Sequence, residues 1–246
     1  MSSPGTAIVT GGAGGIGRAV CDLLLRRGWT VWSLDRSANP DAGVISRECD
    51  VTDEACLLAL ADEIGTADAL VMCAGVNLRP RDNTLAKVTL DAWTETIAVN
   101  LTGTMLSTKC FSTILRTGGA IVTLGSIAAL RALPGSDAYT ASKGAIVSLT
   151  RCWAVEFSGR RIRVNCVCPG LTDTRMLAEI RNSIPGGRIP DLPQQRTADA
   201  AEVAGVIGFL VSESASYLSG AIIPVDGGAT AHGAGMPFPT AVALDP

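Results

Sequence analysis

Three side chains in the middle of the chain have the types and spacing needed to move a proton. Tyr139 and Lys143 stand four residues apart in Tyr-Thr-Ala-Ser-Lys, and Ser126 lies thirteen residues upstream. If the segment is helical, positions four apart share one face, so the ammonium lies beside the phenol. A unit charge about 4 Å away contributes roughly 4 kcal/mol at an effective dielectric of about 20, equivalent to about 3 pKa units. The pair predicts a phenol that acts as a general base near working pH, with Ser126 binding the reacting oxygen; an ordinary surface helix is the alternative.

A glycine-rich turn near the start of the chain is the second feature with chemical meaning. Residues 6–10 form a short apolar run typical of a buried parallel strand, and apolar residues recur at helical spacing from Ala19 onward. Strand, glycine turn and helix in this order indicate a dinucleotide site, where backbone N–H groups contact a pyrophosphate at the positive helix end. The predicted cofactor contacts in this turn are Gly11, Gly14, Gly15, Ile16 and Gly17.

The carboxylate after the second strand indicates which dinucleotide binds. Residues 30–34 lead into Asp35, eighteen residues past Gly17. A carboxylate there can accept hydrogen bonds from both hydroxyls of an adenosine ribose, and it repels a 2′-phosphate. Arg36 follows directly, and its guanidinium can neutralise such a phosphate. Asp35 also suits a plain turn, but beside the glycine turn it predicts NAD in preference to NADP.

With these motifs in place, the chain resembles the short-chain dehydrogenase/reductases in their single-domain branch, over residues 6–228. The resemblance implies that Asn100 is a fourth catalytic residue, which holds a water for a proton relay. It also implies that Tyr139 and Lys143 contact the cofactor, and that the stretch ending at Thr174 holds the nicotinamide carboxamide. The further cofactor contacts it implies are Asp50, Val51, Ala74, Gly75, Pro169, Gly170 and Thr172.

Two positions depart from the pattern of the resembled family. The usual Asn-Asn-Ala-Gly after the fourth strand reads Met72-Cys73-Ala74-Gly75 here, so hydrogen bonds made by the two amides must be replaced or missing. The residue before Gly15 is Gly14, where members that use NADP often carry Lys or Arg. The second departure supports NAD.

Strand-like and helix-spaced segments alternate along the chain. This alternation predicts the α/β class, with a doubly wound, mostly parallel seven-stranded sheet, the Rossmann fold, in a single domain. The predicted domain covers residues 1–228 and is followed by a C-terminal tail at 229–246. Strands are predicted at 6–10, 30–34, 68–73, 120–124, 163–168 and 221–225, and Pro224 indicates an edge position for the last. Ligands of such sheets bind beyond the carboxyl ends of the strands, where the motifs fall.

Three segments predict features around the site. The helix predicted over 138–157 is apolar across more than one core-facing stripe, which favours packing against another subunit and a homo-oligomer, preferably a tetramer. Residues 175–198 correspond to a mobile substrate lid in the resembled family, with Gly186 and Gly187 as a hinge; a plain surface loop is the alternative. The tail at 229–246 is either a disordered segment or an arm that reaches a neighbouring subunit.

The predicted substrate pocket is mostly apolar. Its lining favours an alicyclic or modestly hydrophobic alcohol, although Arg175, Arg181 and Arg188 leave an acid open. The predicted pocket residues are Val76, Ser126, Ile127, Met176 and Leu177.

Composition excludes several classes of protein. The net charge of −3, without a long Lys/Arg cluster, argues against nucleic-acid binding. The sequence contains no run of about 18 uncharged apolar residues, so no membrane span is predicted. Its first twenty residues carry a cofactor motif instead of a signal peptide, so a cytoplasmic protein is expected. The eight cysteines form no Cys-x-x-Cys pair and suit a structural core, while the single histidine, His232, rules out a histidine triad or metal cluster. No metal is predicted.

The predicted reaction is reversible hydride transfer between a secondary alcohol and NAD. Tyr139 takes the hydroxyl proton, Lys143 tunes it and binds the nicotinamide ribose, and Ser126 orients the oxygen. A ketoreductase that uses NADPH and acts on a carrier-bound 3-oxoacyl group is the first alternative, which Asp35 and the acidic charge balance disfavour. A dinucleotide-binding protein without catalysis is the second, and the complete set of four catalytic residues disfavours it.

Overall fold

The computed structural model of the protein describes residues 5–183 and 192–231. Its strands are β1 (Thr6–Thr10), β2 (Thr30–Asp35), β3 (Ile45–Glu48), β4 (Ala67–Met72), β5 (Leu115–Leu124), β6 (Arg163–Pro169) and β7 (Ile222–Val225). They form one sheet in the order β3-β2-β1-β4-β5-β6-β7, and every pairing is parallel. The predicted α/β class and seven-stranded doubly wound sheet are therefore confirmed.

Helices cover both faces of this sheet. They are α1 (Gly15–Arg26), α2 (Glu54–Ile64), α3 (Leu90–Ile97), α4 (Gly103–Ser112), α5 (Asp137–Glu156), α6 (Arg175–Ser183) and α7 (Ala200–Leu210). A π-helical segment, Ala98–Thr102, joins α3 to α4, and short 3-10 turns lie at Ile127–Ala129, Phe157–Arg160 and Glu213–Ala215. None of the helices in the described residues is long and apolar enough to cross a membrane.

The alternation of side chains along β1 shows how the two cores form. Val9 packs into the layer shared with α1 and α7, whereas Ile8 points to the opposite face and packs with residues of α2 and α4. Phe111 of α4 is fully buried in this second layer. Because burial of one large apolar side chain contributes roughly 1.5–3 kcal/mol, these two layers hold the helices onto the sheet.

The predicted strands match the structure closely except at β5. This strand begins at Leu115, five residues before the predicted start, because Leu115 pairs with Ala67 ahead of a register shift. Gly118 has φ +86 within this irregular stretch. Pro224 lies in β7 at the sheet edge, as predicted, where a residue without an N–H breaks no inner ladder.

The cysteines largely fill the interior, as predicted. Five of them are buried, two are partly buried and Cys152 is exposed. Cys166 and Cys168 point to the same face of β6, with their sulfur atoms 3.8 Å apart. Among the described residues, no cluster of three or more His, Cys, Asp or Glu side chains could hold a metal ion.

The segments flanking the site are described in part. The predicted 138–157 helix is α5, and its outer face leaves Val155 74% exposed, so packing against another subunit stays a prediction. Of the predicted lid, α6 and residues 192–198 are described, whereas the hinge Gly186–Gly187 and Arg188 lie outside the described residues. Of the predicted tail, residues 229–231 form a turn, and His232 and the rest lie outside the described residues.

Candidate active site

The glycine turn between β1 and α1 is shaped to receive a phosphate. Gly11 has φ +66, and a Cβ there would lie 2.6 Å from the backbone nitrogen of Ala74 on the next strand's loop. Gly14 is the N-cap residue of α1 and has no side chain to cap the helix, and the first turn of α1 carries no acidic residue. A Cβ at Gly14 would have no neighbour within 4 Å. The first N–H groups of α1 thus remain available to an anion at the positive helix end. The turn fits a dinucleotide pyrophosphate.

The end of β2 presents a carboxylate along the same cleft. Asp35 is partly buried, and its oxygens accept hydrogen bonds from the amides of Ala13 (3.1 Å) and Ser37 (3.2 Å). A carboxylate has about four lone-pair positions, so capacity remains for two ribose hydroxyls. Arg36 is exposed beside it and lines the cleft. This arrangement fits the adenosine half of a nicotinamide dinucleotide.

Asp50 and Val51 border the cleft next to this ribose position. Asp50 accepts hydrogen bonds from the amide and the hydroxyl of Thr52, at 2.9 and 2.7 Å. These bonds hold the pKa of Asp50 below its ordinary value, so its carboxylate is ionised at neutral pH. Val51 is buried and packs beneath Gly103, whose missing side chain leaves room for it.

The loop after β4, where the two amide side chains are missing, is bound to β1 through its backbone. The amide of Cys73 donates to the Thr10 carbonyl (3.0 Å), and the amide of Ala74 donates to the Thr10 hydroxyl (3.4 Å). The Thr108 hydroxyl donates to the sulfur of Met72 (3.3 Å). The loop is therefore held to β1 by its backbone amides, which donate whatever side chains stand at positions 73 and 74.

The residues predicted to transfer a proton meet where β5 ends and α5 begins. Tyr139 lies in the first turn of α5 and Lys143 one turn later, with its Nζ 5.7 Å from the centre of the phenol ring. Lys143 is only 5% exposed, and its ammonium donates to the Leu124 carbonyl at 2.8 Å. Ser126, two residues after β5, is buried at the same place. All three line one cleft.

The pKa values at this end of the cleft are set mainly by burial. Burial raises the pKa of the Tyr139 phenol above its ordinary value of 10.0, and the hydroxyl of Ser126 opposes the rise. Burial also lowers the pKa of Lys143 below 10.5. The prediction of a phenol pKa lowered by Lys143 is therefore wrong for the protein alone, because burial disfavours the charged form of both groups.

A pair of sulfur atoms supports the backbone that delivers Ser126. Gly125 packs so closely on Cys166 and Cys168 that a Cβ at Gly125 would lie 2.8 and 2.7 Å from their sulfurs. The Cys168 thiol, by hydrogen bonding, lowers the pKa of Cys166 to about 7. No side chain larger than glycine fits between β6 and the start of the Ser126 turn.

Asn100 lies behind the cleft rather than on its surface. It is fully buried in the π-helical segment, a local widening that often marks functional sites. Its Oδ1 accepts from the Val76 amide (2.8 Å), and its Nδ2 donates to the Val76 carbonyl (2.9 Å) and the Ser142 hydroxyl (3.2 Å). Ser142 in turn donates to the Tyr139 carbonyl at 2.7 Å. Asn100 thus connects the loop after β4 to α5, and its predicted role in a water relay stays a prediction.

The turn after β6 closes the cleft opposite the glycine turn. The Thr174 side chain faces Gly15, where a Cβ would lie 3.2 Å from its methyl group. Gly170 donates its amide to the Val225 carbonyl (2.9 Å), and a Cβ at Gly170 would meet the backbone of Asp226 at 2.8 Å. Pro169 and Thr172 line the cleft beside them.

The cleft has a volume of about 530 Å³, within the range of a cofactor site. Every predicted site residue except Asn100 lines it, and the predicted pocket residues Val76, Ile127, Met176 and Leu177 lie among them. The sequence reading missed Asn77, Leu78 and Leu133, which also line it. Asn77 and Leu78 follow directly on Val76, in the loop after β4, so extending the predicted pocket along that loop would have found them. No local sequence pattern indicates that Leu133 lines the cleft.

The chain is similar in sequence to several known proteins. The family profile described as Enoyl-(Acyl carrier protein) reductase matches residues 11–230. The 2-(R)-hydroxypropyl-CoM dehydrogenase of Xanthobacter autotrophicus is 34% identical over 92% of this chain and 98% of its own. The cis-4-hydroxycyclohexanecarboxylate dehydrogenase of Sinomonas cyclohexanicum is 38% identical over 92% and 96%. The 3-oxoacyl-[acyl-carrier-protein] reductase MabA of Mycobacterium tuberculosis is 34% identical over 91% and 92%.

A solved structure shares the whole architecture. The aldohexose dehydrogenase of Thermoplasma acidophilum matches with a TM-score of 0.88 and 28% identity, covering 96% of this chain and 98% of its own. The chain therefore belongs to the short-chain dehydrogenase/reductase family. It is an oxidoreductase that acts on a CH–OH group or the corresponding ketone, with a nicotinamide dinucleotide as cofactor.

Proposed function

We propose that this protein is an NAD-dependent dehydrogenase that interconverts a secondary alcohol and a ketone, with Tyr139 as its general acid/base. One observation supports this above all others. Tyr139, Lys143 and Ser126 line the cleft that also contains the glycine turn and, at its far end, Asp35. A proton-transfer group and a dinucleotide site therefore share one cavity.

The proposed roles follow from the contacts of each side chain. Ser126 holds the substrate oxygen, and Tyr139 exchanges a proton with it. Lys143 contributes a fixed positive charge that opposes the effect of burial on the phenol, and it binds the nicotinamide ribose. The bound nicotinamide supplies the site that accepts or returns the hydride. Asn100 fixes the start of α5 against the loop after β4, and it anchors the path by which protons reach solvent.

NAD is the proposed cofactor in preference to NADP. Asp35 places a carboxylate at the end of β2, where a ribose phosphate would be repelled. Arg36 lies beside it but is exposed, so its charge is screened by water. Gly14 offers no cation at the start of α1.

The proposed substrate is an alicyclic or modestly hydrophobic alcohol. Val76, Ile127, Met176 and Leu177 give the pocket an apolar lining. Arg175, at the mouth, is 93% exposed in its side chain and is paired with Glu179 at 2.8 Å. The relative from Sinomonas is named as a dehydrogenase of cis-4-hydroxycyclohexanecarboxylate, so its ring supports an alicyclic substrate and its carboxylate keeps an acid open.

Carrier-bound 3-oxoacyl reduction is the second candidate, because the family description and the relative MabA both name carrier-protein reductases. Asp35 and the net charge of −3 count against it, since a carrier protein is acidic and a basic docking surface suits it. Activity with NADPH and a 3-oxoacyl thioester that exceeds activity with NAD and free alcohols would favour this second function.

The proposed assembly is a homotetramer, because the sequence of α5 is apolar across more than one core-facing stripe and its Val155 is exposed. The proposed lid is the segment 175–198, in which α6 contributes Met176 and Leu177 to the cleft. The division into a domain at 1–228 and a tail at 229–246 and a cytoplasmic location are proposed from the sequence.

Replacement of Tyr139 by Phe tests the central role. The chain has only two tyrosines, and the other, Tyr217, is fully exposed, so Tyr217→Phe is a matched control. Because general acid–base catalysis contributes about 10²–10⁴-fold, Tyr139→Phe should lower kcat by about that factor. The measurements are NADH formation with a panel of secondary alcohols and NAD affinity by fluorescence titration. Turnover within a few-fold of wild type in Tyr139→Phe would refute the assignment.

A further inference from the structure

A second charged side chain is buried beside the catalytic helix. Among the described residues, Asp82 and Lys143 are the only buried residues with a charged side chain, and Asp82 is 0% exposed. A buried carboxylate persists only if its oxygens are hydrogen-bonded, because removing it from water is costly. Asp82 is not on α5, nor does it line the cleft, so none of the roles above accounts for it.

Both oxygens of Asp82 bind the backbone at the start of α5. Oδ1 accepts from the amide of Ala138 at 3.0 Å, and Oδ2 accepts from the amide of Tyr139 at 2.9 Å. These are two of the amides that a helix leaves without an internal partner. A serine at the N-cap normally accepts from one of them, but Ser136 makes no such bond here, and its own buried hydroxyl has no partner. Asp82 therefore caps α5 from a different segment.

The segment that carries Asp82 also lines the substrate end of the cleft. The amides of Arg81 and Asp82 donate to the Leu78 carbonyl at 2.8 and 3.1 Å, so Asp82 is one turn away from a cleft residue. The amide of Asp137 donates to the Asn83 carbonyl at 3.4 Å, which adds a second bond between the same two segments. The carboxylate fixes the distance between the substrate-facing turn and the residue that carries the phenol.

We propose that Asp82 is a positioning residue that holds the Tyr139 backbone in register with the substrate turn at Leu78. The inference rests on the proposed role of Tyr139 as acid/base. A carboxylate suits the task because its two oxygens reach two successive amides, and its charge complements the positive end of α5. Since a misplacement of about 1 Å can cost about 10²-fold in rate, loss of this cap lowers turnover without removing any reacting group.

The test is Asp82→Asn, which keeps the shape but leaves one acceptor oxygen and turns an NH2 group toward an amide. We expect kcat to fall by about 10–100-fold while the NAD dissociation constant stays within about threefold of wild type. Asp53→Asn is the matched control, because Asp53 caps α2 through the amide of Cys56 (3.1 Å) away from the cleft. It should keep its kcat and lose little thermal stability, because Asp53 is exposed and Asn caps a helix about as well as Asp.

Two further variants separate positioning from simple helix capping. Ser136→Asp, added to Asp82→Asn, places an acceptor at the N-cap itself; it should restore the melting temperature and leave kcat low, because the link to the turn at Leu78 is still missing. Added to Tyr139→Phe, Asp82→Asn should cause little further loss, because both changes act through one group.

The outcomes distinguish this inference from the proposed function. Wild-type kcat in Asp82→Asn, full recovery of kcat by Ser136→Asp, or a kcat loss of the same size in Asp53→Asn would overturn the role of Asp82. If Asp82→Asn does not fold, kcat is measured in the Ser136→Asp/Asp82→Asn protein instead. A low kcat there supports the role of Asp82, and a wild-type kcat overturns it. High turnover in Tyr139→Phe would instead overturn the proposed function itself.

Discussion

At one end of the cleft the fixed charge is Lys143, which is 5% exposed and bound to the Leu124 carbonyl. At the other end the charges are Asp35 and Asp50, which are partly exposed and accept from nearby backbone amides. Both ends lie at the carboxyl edge of one sheet, and both use strand-to-helix turns. They differ in how much water reaches the charged group.

This difference in solvation makes one end of the cleft suited to proton transfer and the other suited to cofactor selection. Burial lowers the pKa of Lys143 and raises the pKa of Tyr139, so protons at this end respond strongly to each new neighbour. The Thr52 amide and hydroxyl hold the pKa of Asp50 below its ordinary value, and its charge does not change near neutral pH. A buried end suits proton transfer, whereas a hydrated end with constant charge suits selection between cofactors.

The largest expected effect comes from removing the buried charge. Lys143→Met keeps the length of the side chain and deletes the ammonium that faces the Tyr139 ring. Without that charge only the Ser126 hydroxyl opposes the effect of burial on the phenol, and the ammonium proposed to bind the nicotinamide ribose is lost, so kcat should fall by about 10³-fold. Steady-state rates of NADH formation measure the loss.

Lys109→Met provides the control for this substitution. Lys109 lies on α4, exposed, and pairs with Glu54 at 2.7 Å. A lysine of this kind contributes little to the chemistry or to stability, so Lys109→Met should turn over at the wild-type rate. Equal losses in the two variants would show that the buried position of Lys143 has no special importance.

The second expected effect concerns the hydrated end and changes selectivity more than rate. Asp35→Ser removes the carboxylate that is proposed to bind the ribose and leaves Arg36 beside that position. The ratio of kcat/KM with NADP to that with NAD should rise by about 100-fold, while the maximal rate with NAD changes by less than about tenfold. Asp62→Ser, an exposed acid on α2, should leave the ratio unchanged. An unaltered ratio in Asp35→Ser would remove Asp35 from cofactor selection.

The parts that sequence could predict are those specified within one turn of the chain. The glycines at 11, 15 and 17 and the four-residue spacing of Tyr139 and Lys143 are local, so they gave the cofactor turn and the helix face. Asp82 and Leu133 reach the site only through tertiary contacts, since no local pattern places Asp82 against α5. The direction of the Tyr139 pKa shift was wrong for the same reason, because spacing shows a neighbour but not how much water is excluded.

The smallest expected effect tests whether burial of Lys143 costs stability. Burying an ammonium with one carbonyl partner is unfavourable, so replacing it by an apolar side chain of similar volume is often stabilising. Lys143→Met should therefore raise the melting temperature at neutral pH by about 2–4 °C, equivalent to about 1 kcal/mol, whereas Asp35→Ser should change stability by less than about 0.5 kcal/mol. Thermal unfolding of the three proteins measures both.

The pH dependence of the stability difference between wild type and Lys143→Met tests independently whether burial of the ammonium is unfavourable. Because the pKa of Lys143 is lowered in the folded protein, the unfolded chain binds more protons between this value and 10.5. The free energy of unfolding rises with pH wherever the unfolded state binds more protons. Wild type should therefore become more stable relative to Lys143→Met as the pH increases toward 10. The raised pKa of Tyr139 acts in both proteins, so it largely cancels in the difference. A difference that stays constant from pH 7 to 10, or a variant less stable than wild type at pH 7, would mean that the protein solvates this ammonium as well as water does.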